Sequence, residues 1–446
     1  MLNDSLKEEI QSAYSRLLDE QGFKPRHCQK AMIAEIARTL GGIGDEPGGI
    51  CVVEAGTGTG KTIAYALAVI PLAKQLKKKI VVATATVALQ EQIVYQDLPD
   101  IRASSGLDFS FALAKGRRRY LCLSRLDRAL QDGSSVNQTL SFFEEGDTGN
   151  VSKSDGSLYE EMINGLGHGT WDGDRDNWPE EIDHVAWSRV STDHAQCTQR
   201  QCTHFENCIF YRAREKIHRV DCIVTNQDLV LADLMMGGGA VLPAPEETIY
   251  IFDECHHLPE KAGNHFSHNL SLYSTRSWLQ QIPGSLDIVR GDVVGISENQ
   301  IAKIERQVES ASQLLDDAAA QFQVLKESAE TIDDGWRYRF PEGRVDPEHA
   351  ENSARLATVF SGLSTAVDAI GQEVEDVLEN AGSAEREQSE QWLSLVTAMG
   401  DRLIAATALW RNYAEPELNP PYARWVKFTT AGQIEGLEIQ LASHPV

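Results

Sequence analysis

Short apolar runs alternate with longer amphipathic segments in the first part of the chain. The run ICVVE at residues 50–54 precedes the glycine-rich AGTGTGKT and the segment IAYALAVIPLAKQLKKK, an order that predicts a strand, a loop and a helix. Similar runs at residues 80–84 and 248–256 predict two further strands, and VALQEQIVYQDL predicts a helix after the first of them. Strands that alternate with helices predict an α/β domain with a parallel sheet.

Two stretches interrupt this pattern. Residues 116–214 hold four cysteines and the segment TWDGDRDNWP, with little sustained helical spacing, and predict a loop-rich insertion. Residues 259–415 have helical spacing and predict an acidic helical insertion. Residues 416–446 return to alternating strand character. The α/β domain is therefore expected to be discontinuous, formed by residues 1–115, 215–258 and 416–446, and to be incomplete at its C-terminal end.

Composition narrows the class of protein. The 446 residues are 42% apolar and 24% charged, which predicts a folded globular protein. No apolar stretch is long enough to span a membrane, and the acidic start of the chain lacks a signal peptide's pattern, so we expect a cytoplasmic protein without a membrane partner. The net charge of −25 means that any nucleic-acid site must be a local groove, because phosphate contacts need lysine and arginine.

The glycine-rich loop is the strongest single signal in the sequence. It fits the phosphate-binding Walker A pattern with alanine in the first position, and its predicted ATP-binding residues are Ala55, Gly56, Thr57, Gly58, Thr59, Gly60, Lys61 and Thr62. Glycines let backbone N–H groups curl around phosphate oxygens, the lysine reaches the β- and γ-phosphates, and the Thr62 hydroxyl can ligate Mg²⁺. The strand before the loop and the helix after it make a chance match improbable.

A second acidic motif completes a nucleotide site. The apolar strand IYIF ends in Asp253, which can join Thr62 in the Mg²⁺ shell, and in Glu254, which can orient or deprotonate the attacking water. Adjacent acidic residues at a strand end are more often surface groups, but the phosphate loop upstream favours the catalytic interpretation. Lys61, Asp253 and Glu254 are therefore the predicted catalytic residues of an NTPase.

Three segments resemble motifs of superfamily 2 helicases. DECH is similar to the DEAH box, and GFKPRHCQKAM is similar to the Q-motif of the XPD and DinG branch, in which Arg26 and Gln29 would contact adenine. The alternative for these two residues is a loop that enters a helix. TATVALQEQI lies where this superfamily has motif Ia, so Thr84, Thr86 and Gln90 are candidates for contacts with the DNA backbone. Thr86 can also be read as a helix cap.

Four cysteines fall in the first insertion. Cys122 stands alone, whereas Cys197, Cys202 and Cys208 are separated by four and five residues in CTQRQCTHFENC. Four thiolates suit either an iron–sulfur cluster or zinc, and the ligand set alone does not separate the two. The remaining cysteines lie beside or within predicted core elements and are expected to be structural; they are Cys28, Cys51, Cys222 and Cys255.

The position of the four-cysteine insertion between the two ATP motifs, with GRRRYLC before it and IVTNQDLVLADL after it, resembles the DinG/XPD group of iron–sulfur DNA helicases. WDGDRD and WSRVSTD are similar to the bacterial DinG branch. The resemblance implies a RecA-like motor domain, a [4Fe–4S] cluster on Cys122, Cys197, Cys202 and Cys208, and an Arch-like domain at residues 259–415. It also implies ATP-dependent 5′→3′ movement on single-stranded or forked DNA in repair or replication.

A basic run precedes the first of these cysteines. Its members are Lys115, Arg117, Arg118 and Arg119, followed by Tyr120, and the alternatives are a DNA-binding groove and a solvated turn. In an acidic protein, positive charge beside an aromatic ring favours contact with single-stranded DNA. His256 and His257 follow the acidic pair and would either couple the ATP and DNA sites or lie in the core.

Motifs III and VI of the helicase group are not found in the sequence, and neither is the second RecA-like domain that carries the arginine finger. Without that arginine, phosphoryl transfer slows by roughly 10³-fold or more, so we expect this chain to bind nucleotide better than it hydrolyses it. The chain would be a fragment of a longer helicase or a half-motor that a second polypeptide completes. Alternatives from other classes are a non-motor, ATP-binding and metal-cluster-containing DNA-binding regulator, and an NTPase that acts on protein or RNA.

Overall fold

The computed structural model describes residues 4–42, 49–56, 58–130, 153–194, 196–333, 335–380, 382–430 and 437–445. The chain divides into two compact units, each formed by two segments. The first unit consists of Met1–Gly116 and Tyr211–His265, and the second unit consists of Arg117–Phe210 and Phe266–Val446. The chain therefore leaves the first unit, forms part of the second, returns, and leaves again.

The first unit is built on a parallel sheet of four strands. The strands are β1 (Lys79–Thr84), β2 (Phe111–Leu113), β3 (Cys222–Asn226) and β4 (Thr248–Phe252), in the order β2-β3-β1-β4. All three neighbouring pairs are parallel. This mixed α/β arrangement fits the RecA-like fold that the sequence predicts. The strand predicted at residues 80–84 is confirmed, and the strand–loop unit predicted at residues 248–256 contains the strand Thr248–Phe252.

Both faces of the sheet are covered, as the apolar sequence of β1 requires. Ile80 and Val82 belong to one hydrophobic core, and Val81 and Ala83 belong to another. A strand that is buried on both faces reads as a continuous apolar run, because successive side chains point to opposite faces.

The short strand β2 has an additional attachment to β3. The side chain of Asp221, just before β3, accepts hydrogen bonds from Ser110 N at 2.8 Å and from Ser110 Oγ at 2.6 Å. In return, the Ser110 carbonyl accepts from the backbone N–H of Asp221 and of Cys222. This two-way contact fixes the register where the ladder itself is only three residues long.

Amphipathic helices flank this sheet. Those of the first unit are Asp4–Gln21, His27–Gly41, Lys61–Leu76, Val87–Gln92, Leu98–Ser105, Gln227–Met235 and Leu258–His265, with a π-helical turn at Ile93–Asp97 and 3₁₀ turns at Pro245–Glu247 and Cys255–His257. In the first helix, Leu6, Ile10, Tyr14 and Leu17 form the buried stripe, at the helical spacing.

The structure contradicts the strand predicted at residues 50–54. These residues are not part of a strand in the structure. Cys51 and Val53 pack against the core of the first unit, whereas Ile50 is 85% exposed and Val52 is 82% exposed. The alternation of a strand is present, but no described neighbour forms a ladder with this segment.

The four-cysteine part of the second unit has a small core of its own. Its helices are Leu123–Leu130, Lys153–His168 and His184–Val190, joined by 3₁₀ turns at Arg117–Arg119, Arg175–Asn177, Gln199–Gln201 and Phe205–Asn207; the helix Ile209–Arg219 crosses the boundary between the units. Tyr159, Met162, Trp171 and Trp187 pack together at its centre. This part is therefore more helical than the sequence pattern predicts.

The rest of the second unit combines long helices with an antiparallel sheet. The helices are Leu272–Leu279, Ile282–Asp292, Glu298–Val324, Pro347–Asn380 and Ser383–Ala414, with 3₁₀ turns at Leu325–Ser328 and Pro341–Gly343. Phe322, Phe360, Trp392, Trp410 and Tyr413 are fully buried in their shared core. Helical character is confirmed for most of this region.

The sheet of the second unit differs from the sequence expectation. Its strands are β5 (His268–Ser271), β6 (Glu330–Ile332), β7 (Gly335–Arg339), β8 (Tyr422–Thr430) and β9 (Leu437–Pro445), in the order β5-β9-β8-β7-β6. The sequence assigns residues 416–446 to the α/β domain, but β8 and β9 pair with each other and with β7 and β5. Val426, Phe428, Ile439 and Leu441 explain this, because they pack in the helical core.

In the part of the chain that the structure describes, none of the helices has both the length and the apolar character that a membrane crossing needs.

Candidate functional site

The phosphate loop wraps the start of the helix Lys61–Leu76. Gly58 and Gly60 have φ values of 74° and 79°, in the left-handed region that glycine adopts without strain. The N–H and the hydroxyl of Thr59 donate hydrogen bonds to the Gly56 carbonyl, at 3.4 Å and 2.8 Å, and close the turn. Ala55 and Thr62 flank this turn, and Thr57 lies outside the described residues. The first backbone N–H groups of the helix are thus available to an anion.

Gln29 and Arg26 lie against this loop. A Cβ added to Gly60 would approach Gln29 Nε2 to 2.1 Å, so the buried amide touches the loop directly. The Tyr14 hydroxyl donates to Gln29 Oε1 at 3.2 Å and accepts from the N–H of Arg26. The Arg26 guanidinium donates to the Gly58 carbonyl. Both residues of the predicted adenine site therefore lie at the phosphate loop.

The acidic strand end meets the same loop. Lys61 Nζ lies 2.5 Å from Glu254 Oε1. This hydrogen bond raises the pKa of Lys61 and lowers the pKa of Glu254. Burial raises the pKa of Asp253 above its ordinary value, and the nearby charge of Lys61 opposes that shift. The three predicted catalytic residues come together from positions far apart in the sequence.

Asp97 is a site residue that the motif analysis missed. Burial raises its pKa, while hydrogen bonds from Thr62 and Gln92 partly offset that effect. The charge of Asp97 also contributes to the raised pKa of Asp253. The Asp97 carboxylate therefore faces the Thr62 hydroxyl, from the π-helical turn Ile93–Asp97. No motif or spacing in the sequence singles out this position.

Gln227 was also missed. Its side chain is fully buried, and its Nε2 donates to the Asp253 carbonyl at 2.9 Å and to the Glu254 carbonyl at 3.4 Å. Glu254 has a φ of 52°, which is costly for a residue with a side chain. Gln227 thus supports the turn that presents the two acidic groups. Its position directly after β3 was the available signal, since polar residues at strand ends share one edge of a parallel sheet.

The three motif Ia candidates differ in accessibility. Thr84 is fully buried, and its hydroxyl donates to the Thr86 carbonyl at 3.0 Å. Gln90 is also buried. Thr86 is exposed, and its Oγ1 accepts from the backbone N–H of Leu89 as the cap of the helix Val87–Gln92. Thr86 is therefore the member of this set that solvent reaches.

The four cysteines of the insertion lie in one neighbourhood. Burial raises the pKa of Cys122, Cys197 and Cys202, and smaller effects come from Cys197 on Cys122, from Cys208 on Cys197 and from Cys122 on Cys202. The loop that carries three of them is ordered by two 3₁₀ turns. None of these four cysteines forms a disulfide.

This donor set can be tested against the two groups considered for it. Thiolates are ligands for both an iron–sulfur cluster and zinc. Among the described residues, no three histidine, cysteine or acidic side chains are close enough to hold a single metal ion. The donor chemistry of the four thiols therefore fits either group.

The basic run is largely occupied by contacts within the second unit. Arg117 stacks on the Phe210 ring at 4.5 Å, and Tyr120 is buried against the same ring. Arg119 pairs with the Asp176 carboxylate. Arg118 is exposed and pairs with Asp193 at 2.7 Å. Lys115, which belongs to the first unit, is buried. Arg118 is therefore the most accessible member of the run.

The cysteines outside the insertion differ in their burial, and the two histidines after Glu254 contact each other. Cys222 is buried in β3, and burial raises its pKa to about 12, as expected for a structural thiol. Cys51 is half-buried, whereas Cys28 and Cys255 are exposed, so these two lie beside core elements rather than within them. His256 Nδ1 lies 3.4 Å from Glu254 Oε2, and its ring packs on that of His257.

The sequence of this chain is similar to those of known helicases. Residues 26–129 match the DEAD/DEAH box helicase family. The ATP-dependent DNA helicase DinG of Photobacterium profundum is 33% identical over 437 residues, which cover 96% of this chain and 60% of that protein. DinG of Salmonella typhimurium is 30% identical over 95% of this chain and 58% of that protein. DinG of Escherichia coli K12 is 37% identical over 58% of this chain and 36% of that protein.

The matched regions cover most of this chain but only part of each relative. The chain spans 60% or less of the length of these helicases. The matches confirm the resemblance that the phosphate loop, the acidic strand end and the cysteine insertion predict.

Proposed function

Because this chain is a relative of the DinG ATP-dependent DNA helicases, we propose that it is the ATP-binding and DNA-binding part of a helicase motor. The observation that carries this proposal is the meeting of Lys61 with Glu254, which joins the phosphate loop to the acidic strand end. The helicase family implies ATP and Mg²⁺ as cofactors and DNA as substrate. The non-motor alternative is not favoured by these relatives.

The pairing of Lys61 with Glu254 gives each residue a defined task. A γ-phosphate that binds Lys61 would break the ion pair between Lys61 and Glu254. The Glu254 carboxylate could then accept a proton from water. Thr62 and Asp253 would hold Mg²⁺, and Asp97 would orient the Thr62 hydroxyl by accepting its hydrogen bond. Gln227 keeps the acidic turn in place. Arg26 and Gln29 would contact the base.

DNA contact is proposed at two places. Thr86 presents an exposed hydroxyl at a helix N-terminus, with Thr84 and Gln90 supporting the turn from inside. In the second unit, Arg118 is the exposed cation of the run that includes Arg117, Arg119 and Tyr120. Single-stranded or forked DNA, 5′→3′ movement and a role in repair or replication follow from the resemblance alone. Movement in the 3′→5′ direction would contradict the proposed polarity.

We also propose that Cys122, Cys197, Cys202 and Cys208 hold a [4Fe–4S] cluster. The support is their grouping in one neighbourhood and the resemblance of the cysteine insertion to that of the iron–sulfur helicases. When bound, such a cluster supplies a rigid link between distant chain segments and a one-electron redox centre. The protein groups around the thiols determine how readily they give up their protons to a metal centre. A second polypeptide as partner and a cytoplasmic location stay predictions.

The experiment is ATP binding and single-stranded-DNA-stimulated hydrolysis by the purified chain and by Lys61→Ala. Loss of a charge-assisted contact to phosphate is expected to weaken ATP binding by about 10- to 100-fold. Any DNA-stimulated hydrolysis is expected to disappear with it. The control is Lys74→Ala, which removes an exposed lysine from the same helix. Equal ATP binding by the chain and by Lys61→Ala would overturn the proposed function.

A further inference from the structure

A carboxylate from the helix Ser383–Ala414 reaches into the four-cysteine part of the second unit. Glu390 is 3% exposed. Its Oε1 accepts hydrogen bonds from Thr198 Oγ1 at 3.0 Å and from Ser124 Oγ at 3.5 Å, and its Oε2 accepts from the Thr203 backbone N–H at 2.8 Å. The three donors come from two chain segments that are far apart in sequence.

Each donor lies within two residues of a predicted cluster ligand in the sequence. Ser124 lies two residues after Cys122, Thr198 directly follows Cys197, and Thr203 directly follows Cys202. One carboxylate therefore ties the segment that carries Cys122 to the loop that carries the other ligands. A buried carboxylate is stable only when its oxygens are satisfied, so the three donors and Glu390 hold one another in place.

The same helix holds the loop at a second point. Ser394, four residues after Glu390 and thus on the same helix face, donates from its Oγ to the Gln196 carbonyl at 2.6 Å. Gln196 directly precedes Cys197, and its side-chain oxygen accepts from Arg125 Nη1 at 2.5 Å. The helix therefore contacts both the start and the middle of the cysteine loop.

Glu390 also brings negative charge to the site. The donors on Ser124, Thr198 and Thr203 are uncharged groups, so they satisfy the carboxylate oxygens without cancelling the charge. Groups that hydrogen-bond beside metal ligands commonly orient those ligands and tune the group that they hold.

We propose that Glu390 is a positioning residue through which the helical part of the second unit assembles the four-cysteine site and tunes the group bound there. This inference rests on the proposed cluster. A fixed negative charge beside a cluster disfavours the added electron, so Glu390 lowers the reduction potential of the site. The charge and the hydrogen bonds are separable, because hydroxyls can reverse their donor and acceptor roles.

The test compares Glu390→Ala with Glu390→Gln in the whole chain. Glu390→Ala removes the contacts and is expected to release iron to a chelator about 10-fold faster than the unaltered chain. Glu390→Gln keeps hydrogen-bonding groups without the charge, and is expected to retain iron while its midpoint potential rises. The control is Glu379→Gln, which removes an exposed carboxylate from the helix Pro347–Asn380 and is expected to change neither quantity.

Hydrogen exchange of the metal-free chain separates this inference from the proposed function. Backbone N–H groups of residues 196–203 are expected to exchange faster in Glu390→Ala than in Glu390→Gln. Tryptophan fluorescence reports that the second unit folds in both variants, because all eight tryptophans lie in this unit. An unaltered chain that takes up zinc but no iron contradicts the proposed cluster. Identical exchange, metal release and potential in all variants overturn the role of Glu390.

Discussion

The two units place their polar groups by different physical means. In the first unit, chemical groups lie at the carboxyl ends of parallel strands, where the backbone register brings Thr84 level with Asn226 and Ala83 level with Phe252, one residue before Asp253. In the second unit, buried side chains such as Glu390 and Arg424 join segments that no ladder connects. Register positions the first site, and buried polar contacts assemble the second.

Arg424 shows how strongly the second unit depends on such contacts. It is 2% exposed and donates to the carbonyls of Gly343, Asn412, Glu415 and Pro416. These carbonyls lie at the end of the helix Ser383–Ala414, just after it, and in the turn beyond β7. Burial lowers the pKa of Arg424, so the cation is held by carbonyl dipoles at the expense of its hydration.

The largest expected effect tests that dependence. Arg424→Leu removes the guanidinium donor from four carbonyls, of which that of Pro416 keeps a hydrogen bond from the Val345 N–H. It is expected to lower the free energy of unfolding by about 3 kcal/mol. All eight tryptophans lie in the second unit, so urea unfolding followed by tryptophan fluorescence reports on this unit, and ATP binding reports on the first. The control is Arg339→Leu, which removes an exposed pair with Glu330. Equal losses of unfolding free energy in the two variants would contradict the dependence of the second unit on the buried contacts of Arg424.

The second prediction tests the dependence of the first unit on backbone shape. Gly60→Ala places a Cβ 2.1 Å from Gln29 Nε2 at a φ of 79°. The left-handed conformation alone is expected to cost about 1–2 kcal/mol, and ATP binding is expected to weaken as the loop shifts. The control is Gly263→Ala, where an added Cβ meets no atom within 4 Å. Circular dichroism in urea and an ATP titration measure both effects, and an unchanged ATP affinity would contradict this interpretation.

The smallest expected effect concerns pH. The hydrogen bond from Lys61 lowers the pKa of Glu254 below its model-peptide value of 4.5. A carboxyl group with a lowered folded-state pKa stabilises the fold above its unfolded-state pKa, and this contribution disappears as the pH falls through the folded value. The contribution is expected to stay under about 1 kcal/mol because the pair is partly exposed to solvent. Urea midpoints between pH 3 and 7 should therefore fall more steeply below pH 4.5 for the unaltered chain than for Glu254→Gln; parallel curves would exclude the stabilising pair.

The sequence predicts the site residues that belong to local motifs, formed by residues close together in the chain. The phosphate loop and the acidic strand end are local motifs, and the structure brings Lys61 and Glu254 together as their pattern predicts. The strand at residues 50–54 fails for a non-local reason, because a strand needs a partner as well as an apolar alternation. Asp97 was missed for the same reason: a single aspartate in a helical segment carries no sign of the hydroxyl that it will meet.

The second unit shows a different limit. Its helices follow from their periodicity, but β8 and β9 were assigned to the wrong sheet, since alternation predicts a strand and not its neighbours. Glu390 and Arg424 resemble ordinary surface charges in the sequence. Only the packing of distant segments reveals that they are buried, and that kind of contact has no local signature.

The pairing of β2 with β3 also bears on how the chain tolerates interruption. These adjacent strands are separated in sequence by the whole four-cysteine part of the second unit. Loop-closure entropy grows only with the logarithm of length, so replacing a short connection by one of this size costs on the order of 2–3 kcal/mol. The Ser110–Asp221 contact opposes that cost at the point of re-entry. A parallel sheet closed in this way can accept inserted modules of very different size between the same two strands without a change of register.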